Sequence, residues 1–262
     1  MTKKVFISGS INIKVLPCEV TKSLYNIINN GLLVLVGDAE GIDFAVQKFF
    51  QKHSYNNVTV YSIYKRPRNI ASQNFAKKIV DVDLTIKSER EKQTRKDYVM
   101  TEDSDFSLVV WDGESSGSYE NIIRSIKSKK GVKVFLKNQG DFHQVEKGKV
   151  TIPEIESIYR DNNGFEAREV VDILREDKIV VEATKDVRSF NKFLVEKNII
   201  QKNDSGVYVP VEHNEAHFVV RKYRGKISGL RYKNEFIVYI TETFFRTCSK
   251  NVGEQTTLFS EE

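Results

Sequence analysis

The run Leu32-Leu33-Val34-Leu35-Val36-Gly37-Asp38-Ala39-Glu40-Gly41-Ile42-Asp43-Phe44-Ala45 decides how the first half of the chain folds. Its five consecutive aliphatic residues, Leu32 to Val36, sit between two glycines and fit a central parallel strand covered on both faces. The turn that follows leads into Ile42 to His53, where apolar residues recur at helical spacing. A buried strand, a glycine turn and an amphipathic helix, in that order, form the repeating unit of an α/β sheet.

Outward from this run the same alternation continues. Val5 to Ser10 reads as a short buried strand ending in small residues, and Cys18 to Asn30 as a helix carrying Val20, Leu24, Ile27 and Ile28 and stopping at Asn30-Gly31. Val58 to Ile63 predicts the next strand, Lys65 to Lys96 a basic and largely helical region, and Phe106 to Trp111 another buried strand. The loop Asp112 to Gly117, a helix over Ser118 to Lys129 and a strand over Gly131 to Leu136 complete the pattern. The fold class expected is α/β, a Rossmann-like doubly wound parallel sheet, with a second, smaller α+β domain of winged-helix type.

The domain limits expected are 1–138 for the α/β domain, 139–153 for a polar linker containing Gly140, Gly148 and Pro153, 154–250 for the second domain, and 251–262 for a flexible tail. In the second domain Glu166 to Arg175 and Ser189 to Lys197 read as helices, and Gly206 to Pro210, Phe218 to Tyr223 and Glu235 to Thr241 as strands.

With 262 residues, 40% hydrophobic and 29% charged, the chain has the composition of one large or two ordinary globular domains. No apolar run approaches the roughly 20 residues of a membrane span, and the start, Met1 to Gly9, lacks the features of a secretory signal. Cys18 and Cys248 are far apart in no metal-ligand spacing, so no metal, no cofactor and no disulfide framework is expected, and the location expected is cytoplasmic. The net charge of +5 is mild, but Lys65 to Lys96 and the acid-free stretch Arg221 to Lys233 concentrate it. Such runs are either solvated faces or surfaces for phosphate.

Ligands of open α/β sheets bind at the carboxyl ends of the strands, where helix N-termini offer free N–H groups to anions. Three donor-rich turns follow predicted strands here, and the expectation is that Gly9, Gly41 and Gly117 meet in one crevice. The candidate ligand-binding residues are Gly9 and Ser10; Gly37, Asp38, Gly41, Ile42 and Asp43; and Asp112, Ser115, Gly117, Ser118 and Asn121. Trp111 is a candidate for stacking on a base, with core packing as the alternative, and Arg68, with Arg66, for gripping phosphate.

Val34 to Ala45 resembles the G-x-A-x-G-I-D-x-A signature of the Smf-type DNA-processing proteins, and Ser8-Gly9-Ser10 the first turn of the same superfamily. Trp111-Asp112-Gly113, with Ser115, Gly117, Ser118 and Asn121, resembles the W-D-G-x-S-x-G-T-x-x-N loop of further members. The resemblance covers residues 4–137 and extends to the Lonely-guy phosphoribohydrolases, so it implies binding of a nucleotide, a nucleotide-derived signal or single-stranded DNA. The phosphoribohydrolases carry Pro-Gly-Gly-x-Gly-Thr-x-x-Glu. Here no Pro-Gly-Gly precedes Gly117, and Asn121 stands at the glutamate position. Glu120, one residue early, is rotated about 100° off that helix face. An amide cannot serve as nucleophile or general base, so a glycosidase would need another carboxylate, of which Asp112 is the catalytic candidate.

Thr184 to Val209, with the basic ribbon after it, resembles the C-terminal domain of phage antirepressors, which implies a helix-turn-helix relative that holds DNA or protein, in a chain of phage or mobile-element type. Its candidate nucleic-acid contacts are Arg188, Lys192, Arg221, Lys222, Arg224 and Lys226. In the tail, Gln255, Leu258 and Phe259 resemble the peptide by which replication proteins dock in the bacterial sliding clamp.

The leading expectation is therefore a nucleotide-binding protein coupled to a DNA- or protein-binding module. The alternatives are a nucleoside or nucleotide N-glycosidase, of phosphoribohydrolase or deoxyribosyltransferase type, and a single-stranded-DNA-binding protein tracking the backbone with Lys65 to Lys96. Expected partners are a nucleotide-type small molecule, DNA, the sliding clamp and a second copy of the chain, and no membrane.

Overall fold

The computed structural model describes residues 2–83, 85–143 and 150–246. They form two compact units, 1–158 and 159–262, of which the first is an α/β Rossmann-like domain. Its strands and helices run β1 (Lys4–Gly9), α1 (Cys18–Asn29), β2 (Leu33–Val36), α2 (Ile42–Lys52), β3 (Val58–Ser62), β4 (Ala76–Ile79), α3 (Glu89–Asp103), β5 (Phe106–Trp111), α4 (Ser116–Lys127), β6 (Gly131–Leu136) and β7 (Asp141–Phe142).

Among the described residues the sheet has seven strands in the order β4-β3-β2-β1-β5-β6-β7, with β1 to β6 parallel and β7 antiparallel at the edge. The aliphatic runs are unbroken because both faces are covered. Val5, Ile7, Val34, Val36, Val58, Val60, Leu108 and Val110 turn one way, against Val20, Leu24 and Ile27 of α1 and Val46, Phe49 and Phe50 of α2. The alternate residues Phe6, Leu35 and Tyr61 turn the other way and meet Met100 of α3. The chain runs outward from β1 through β2, β3 and β4, then crosses back to β5 on the far side of β1. The junction of β1 and β5 is thus the topological switch point.

Three expectations about this unit are corrected. Residues 65–88 are not largely helical; they hold turns and β4, and the helix begins at Glu89, where Ser88 caps it by accepting from the Glu91 N–H at 3.4 Å. The stretch expected as linker contains β7, and the division between units falls inside α5 (Ile152–Asn163). Lys96, read as part of a charged surface, is buried.

The second unit contains α6 (Ala167–Glu176), α7 (Val187–Glu196), the hairpin β8 (Ile200–Lys202) and β9 (Tyr208–Pro210), the hairpin β10 (Phe218–Tyr223) and β11 (Lys226–Tyr232), and α8 (Asn234–Ile240). Two helices followed by a β-hairpin give it winged-helix character. Asp186 caps α7 by accepting from the Ser189 N–H at 2.7 Å. Val170, Val171, Leu174, Phe190, Leu194, Phe218, Tyr232 and Phe236 close one core. Glu235 to Thr241, expected as a strand, is helical: Phe236, Ile237 and Ile240 are its buried residues, one helix face rather than alternate positions. Among the described residues no helix is long and apolar enough to cross a membrane.

Candidate functional site

The three turns do converge. At the end of β1 a Cβ on Gly9 would stand 2.4 Å from the Val110 carbonyl oxygen and 2.8 Å from Ile42 Cβ. Gly41 has φ +76°, and a Cβ there would meet the Ile11 carbonyl oxygen at 2.4 Å. Ser10 is buried beside them; its hydroxyl lies 2.6 Å from Ser115 Oγ and 3.5 Å from Ser118 Oγ and accepts from the Asp112 N–H at 3.0 Å. Gly9, Gly41 and the segment around Gly117 therefore share one rim, at the switch point.

The turn between β2 and α2 is sealed by its own neighbours. Asp38 is fully buried; Oδ1 accepts from Arg68 Nη2 at 2.7 Å and Lys96 Nζ at 3.4 Å, and Oδ2 from Ser62 Oγ at 2.7 Å and the Arg68 N–H at 3.1 Å. Burial pushes its pKa up, but the bonds from Arg68, the charge of Lys96 and the Ser62 hydroxyl outweigh it and hold the carboxyl at about 2. Asn69 Nδ2 donates to the Asp38 carbonyl at 2.9 Å, and Gln47 ties the Gly37 carbonyl to the Ala71 N–H at 2.8 and 3.0 Å. Burial lifts Asp43 to about 7 despite nearby Lys96. Asp97 is likewise raised by burial. At Gly37 a Cβ would lie 2.3 Å from Asp43 Oδ2 and 3.0 Å from Lys96 Nζ.

These contacts correct the expected roles of Gly37, Asp38, Gly41, Ile42 and Asp43. The glycines admit protein atoms rather than a ligand, Ile42 is core, and all of the Asp38 hydrogen-bonding capacity is committed inside the domain. Arg68 is partly spent on Asp38, yet its side chain stays 38% exposed and reaches Gln93 Oε1 at 3.2 Å.

The turn between β5 and α4 is different. Trp111 is fully buried and its indole N–H donates to the Ser115 carbonyl at 3.1 Å, so it shapes the loop and offers no face to a base. Asp112 Oδ1 accepts from the N–H groups of Glu114 and Ser115 at 3.0 and 2.8 Å. Burial opposes ionisation, but these N–H bonds outweigh it and hold the Asp112 carboxyl below the usual range. That makes it a poor general base, contrary to its expected catalytic role. Asn121 is also turned inward: buried, it accepts from Arg124 Nη1 at 2.6 Å and bonds Asp97.

What remains open is the first turn of α4. Among the described residues no hydrogen bond takes the backbone N–H groups of Ser116, Gly117 and Ser118, the ordinary state of a helix N-terminus awaiting an acceptor. The Arg90 guanidinium from α3 stands over them, with Nη1 3.3 Å from the place of a Gly117 Cβ and Nη2 3.2 Å from both Ser116 Oγ and Glu120 Oε1. A cation beside the positive end of a helix dipole is unfavourable by itself; the Glu120 carboxylate offsets part of that cost, and an anion between Arg90 and the N–H groups would offset more. Sequence reasoning missed Arg90 and Lys96 as site residues; both lie on α3, and Arg90 stands more than 20 residues before the loop it serves. The i, i+3, i+6 spacing of Arg90, Gln93 and Lys96 on one helix face was the available signal.

No protein-family model matches the chain, and no curated protein matches it. Solved structures similar to it include the molybdenum cofactor binding protein of the phototrophic bacterium Rippkaea orientalis, 14% identical over 51% of this chain and 76% of that one, with a TM-score of 0.37. DNA processing protein A of Helicobacter pylori, described with a single-stranded-DNA binding mode, is 15% identical over 74% of this chain and 81% of its own, with a TM-score of 0.38.

In the second unit Arg221, Lys222, Arg224 and Lys226 crowd the end of the β10–β11 hairpin, all exposed, beside Tyr223 at 66% exposure. Arg224 and Gly225, with φ 49° and 79°, form its two-residue turn. Arg221 donates to Asn163 Oδ1 at 3.2 Å. Arg188 and Lys192 are exposed on α7, where Lys192 lies 3.7 Å from Glu196. Gln255, Leu258 and Phe259 fall outside the described residues. Among the described residues no group of His, Cys, Asp and Glu is arranged to hold a metal.

Proposed function

We propose that the α/β unit binds a nucleotide-type ligand, its phosphate seated on the N-terminus of α4 under Arg90, with Arg68 as a second cation on the same side. The observation that carries this is the pairing of open N–H groups at Ser116, Gly117 and Ser118 with the Arg90 guanidinium, which Ser116 Oγ and the Glu120 carboxylate hold over that turn. Hydroxyls of Ser115 and Ser116 at the same turn suit a sugar or a phosphate edge. Binding is favoured over glycosidic hydrolysis, because the carboxylates nearest the turn are committed: Asp112 to backbone N–H groups and Glu120 to Arg90.

The second unit acts in this reading as the output, its basic hairpin touching a nucleic-acid backbone in a ligand-dependent way. Six cations and no acid between Phe218 and Asn234 support that surface over α7, whose Lys192 is paired.

Titration calorimetry with nucleoside mono- and diphosphates, and with inorganic phosphate as competitor, tests the site. Arg90→Glu is expected to weaken binding by about tenfold or more, the worth of one charge-assisted contact. Failure of every nucleotide to bind at about 1 mM, or equal binding by the variant, refutes the proposal. For the hairpin, reversing Lys222, Arg224 and Lys226 together should reduce the slope of log K against log salt by about 3 on duplex DNA.

A further inference from the structure

At the opposite rim of the sheet, where the strands begin, lies a cavity of about 670 Å³. Its walls are mostly apolar, from Val5, Ile27, Leu32, Phe106 and Leu108, and Phe142 of β7 closes one side. It lies beside α1, at the beginnings of β1, β5 and β6, and the edge strand β7 bounds it.

Five polar side chains line this space, those of Ser23, Asn26, Ser107, Lys133 and His143, and among the described residues neither Lys133 nor His143 forms an ion pair. His143 Nε2 is buried with no hydrogen-bond partner. An orphaned polar atom of this kind is costly unless something meets it. Lys133 Nζ rests 3.8 Å from the centre of the Phe142 ring and 3.2 Å from Ser23 Oγ, and no carboxylate pairs with it among the described residues. Among the described residues no Asp or Glu lines the cavity. Glu154, the acid near His143, is held by the Thr151 hydroxyl and N–H at 2.5 and 3.1 Å.

We infer that this cavity is a second ligand site, for an amphipathic organic anion: a ring or branched apolar body with one carboxylate or sulfonate. The body replaces water against the apolar walls, and the anion accepts from His143 Nε2–H and from Lys133. The volume lies within the range of small-molecule pockets, about 300–1,000 Å³. A cationic or neutral polar ligand would leave the lysine without a counter-charge. The site is independent of the α4 turn, at the other end of the strands, so either stands if the other fails.

The probe is 1-anilinonaphthalene-8-sulfonate, titrated by fluorescence into the full chain, beside N-phenyl-1-naphthylamine, which has the same rings without the sulfonate. Wild type is expected to bind the sulfonate more tightly. His143→Ala with Lys133→Met should weaken the sulfonate at least about tenfold and leave the neutral ring compound within about twofold. Leu32→Trp, filling the cavity from its rim, should weaken both. Lys133→Glu, at an exposed position, provides the same reading should the double variant not fold. No saturable sulfonate binding to wild type, or the same affinity in Lys133→Glu and Leu32→Trp, overturns the inference.

Discussion

The two glycine turns at the carboxyl rim look alike in sequence and behave oppositely. Gly37 to Asp43 is drawn into the domain: its glycines are crossed by protein atoms, and its carboxylates are neutralised by Arg68 and Lys96 or raised by burial. Asp112 to Ser118 uses its carboxylate and its tryptophan to brace the loop and leaves the first N–H groups of α4 outward. A glycine turn therefore reports close approach of something to the backbone; only the neighbours decide whether that something is the protein or a guest.

The contrast makes graded predictions. Asp38→Ala strands the buried Lys96 charge and unpairs the partly exposed Arg68, and should lower unfolding free energy by about 3–5 kcal/mol in urea titrations, the cost of removing one partner of a buried pair. A loss under 1 kcal/mol (about the value of a surface pair) would mean that the first turn is not sealed. Gly41→Ala, forced onto a left-handed φ against the Ile11 backbone, should cost about 1–3 kcal/mol.

The buried carboxylates also set a pH profile. Folded Asp43 keeps its proton up to about pH 7, whereas an unfolded aspartate releases it at about 3.9. Between those values the folded chain holds more protons, so stability falls as pH rises through that window. Asp38, with its folded value of about 2, acts in reverse: its contribution is present above about 3.9 and is lost as pH drops toward 2. Asp43→Asn should flatten the decline between about pH 4 and 7; a slope unchanged from wild type would show that another group is responsible. The smallest effect belongs to the open turn. Gly117→Ala meets only the mobile end of Arg90 at 3.3 Å, and should be neutral or stabilising by up to about 1 kcal/mol while reducing nucleotide affinity.

The sheet was legible because its central strands are continuous aliphatic runs, which few other structures accommodate. Ala76-Lys77-Lys78-Ile79 was not, since an edge strand needs no apolar face and its lysines read as surface. Phe236 to Ile240 misled because aromatic and β-branched residues favour strands, whereas core packing against Phe218 and Tyr232 selected a helix. At the site, the sequence located the converging turns but not their partners. Lys96 looked like one more solvated lysine, and only the tertiary fold sets it beside Asp38.

Both borders of the sheet are poor templates for another chain. On one flank Lys77 and Lys78 put ammonium groups along the free strand, and on the other Asp141–Phe142 is too short to offer more than a step of backbone pairing. Growth by strand addition is thereby discouraged on each flank. Assembly at this sheet would then use its helices or loops rather than a continued ribbon.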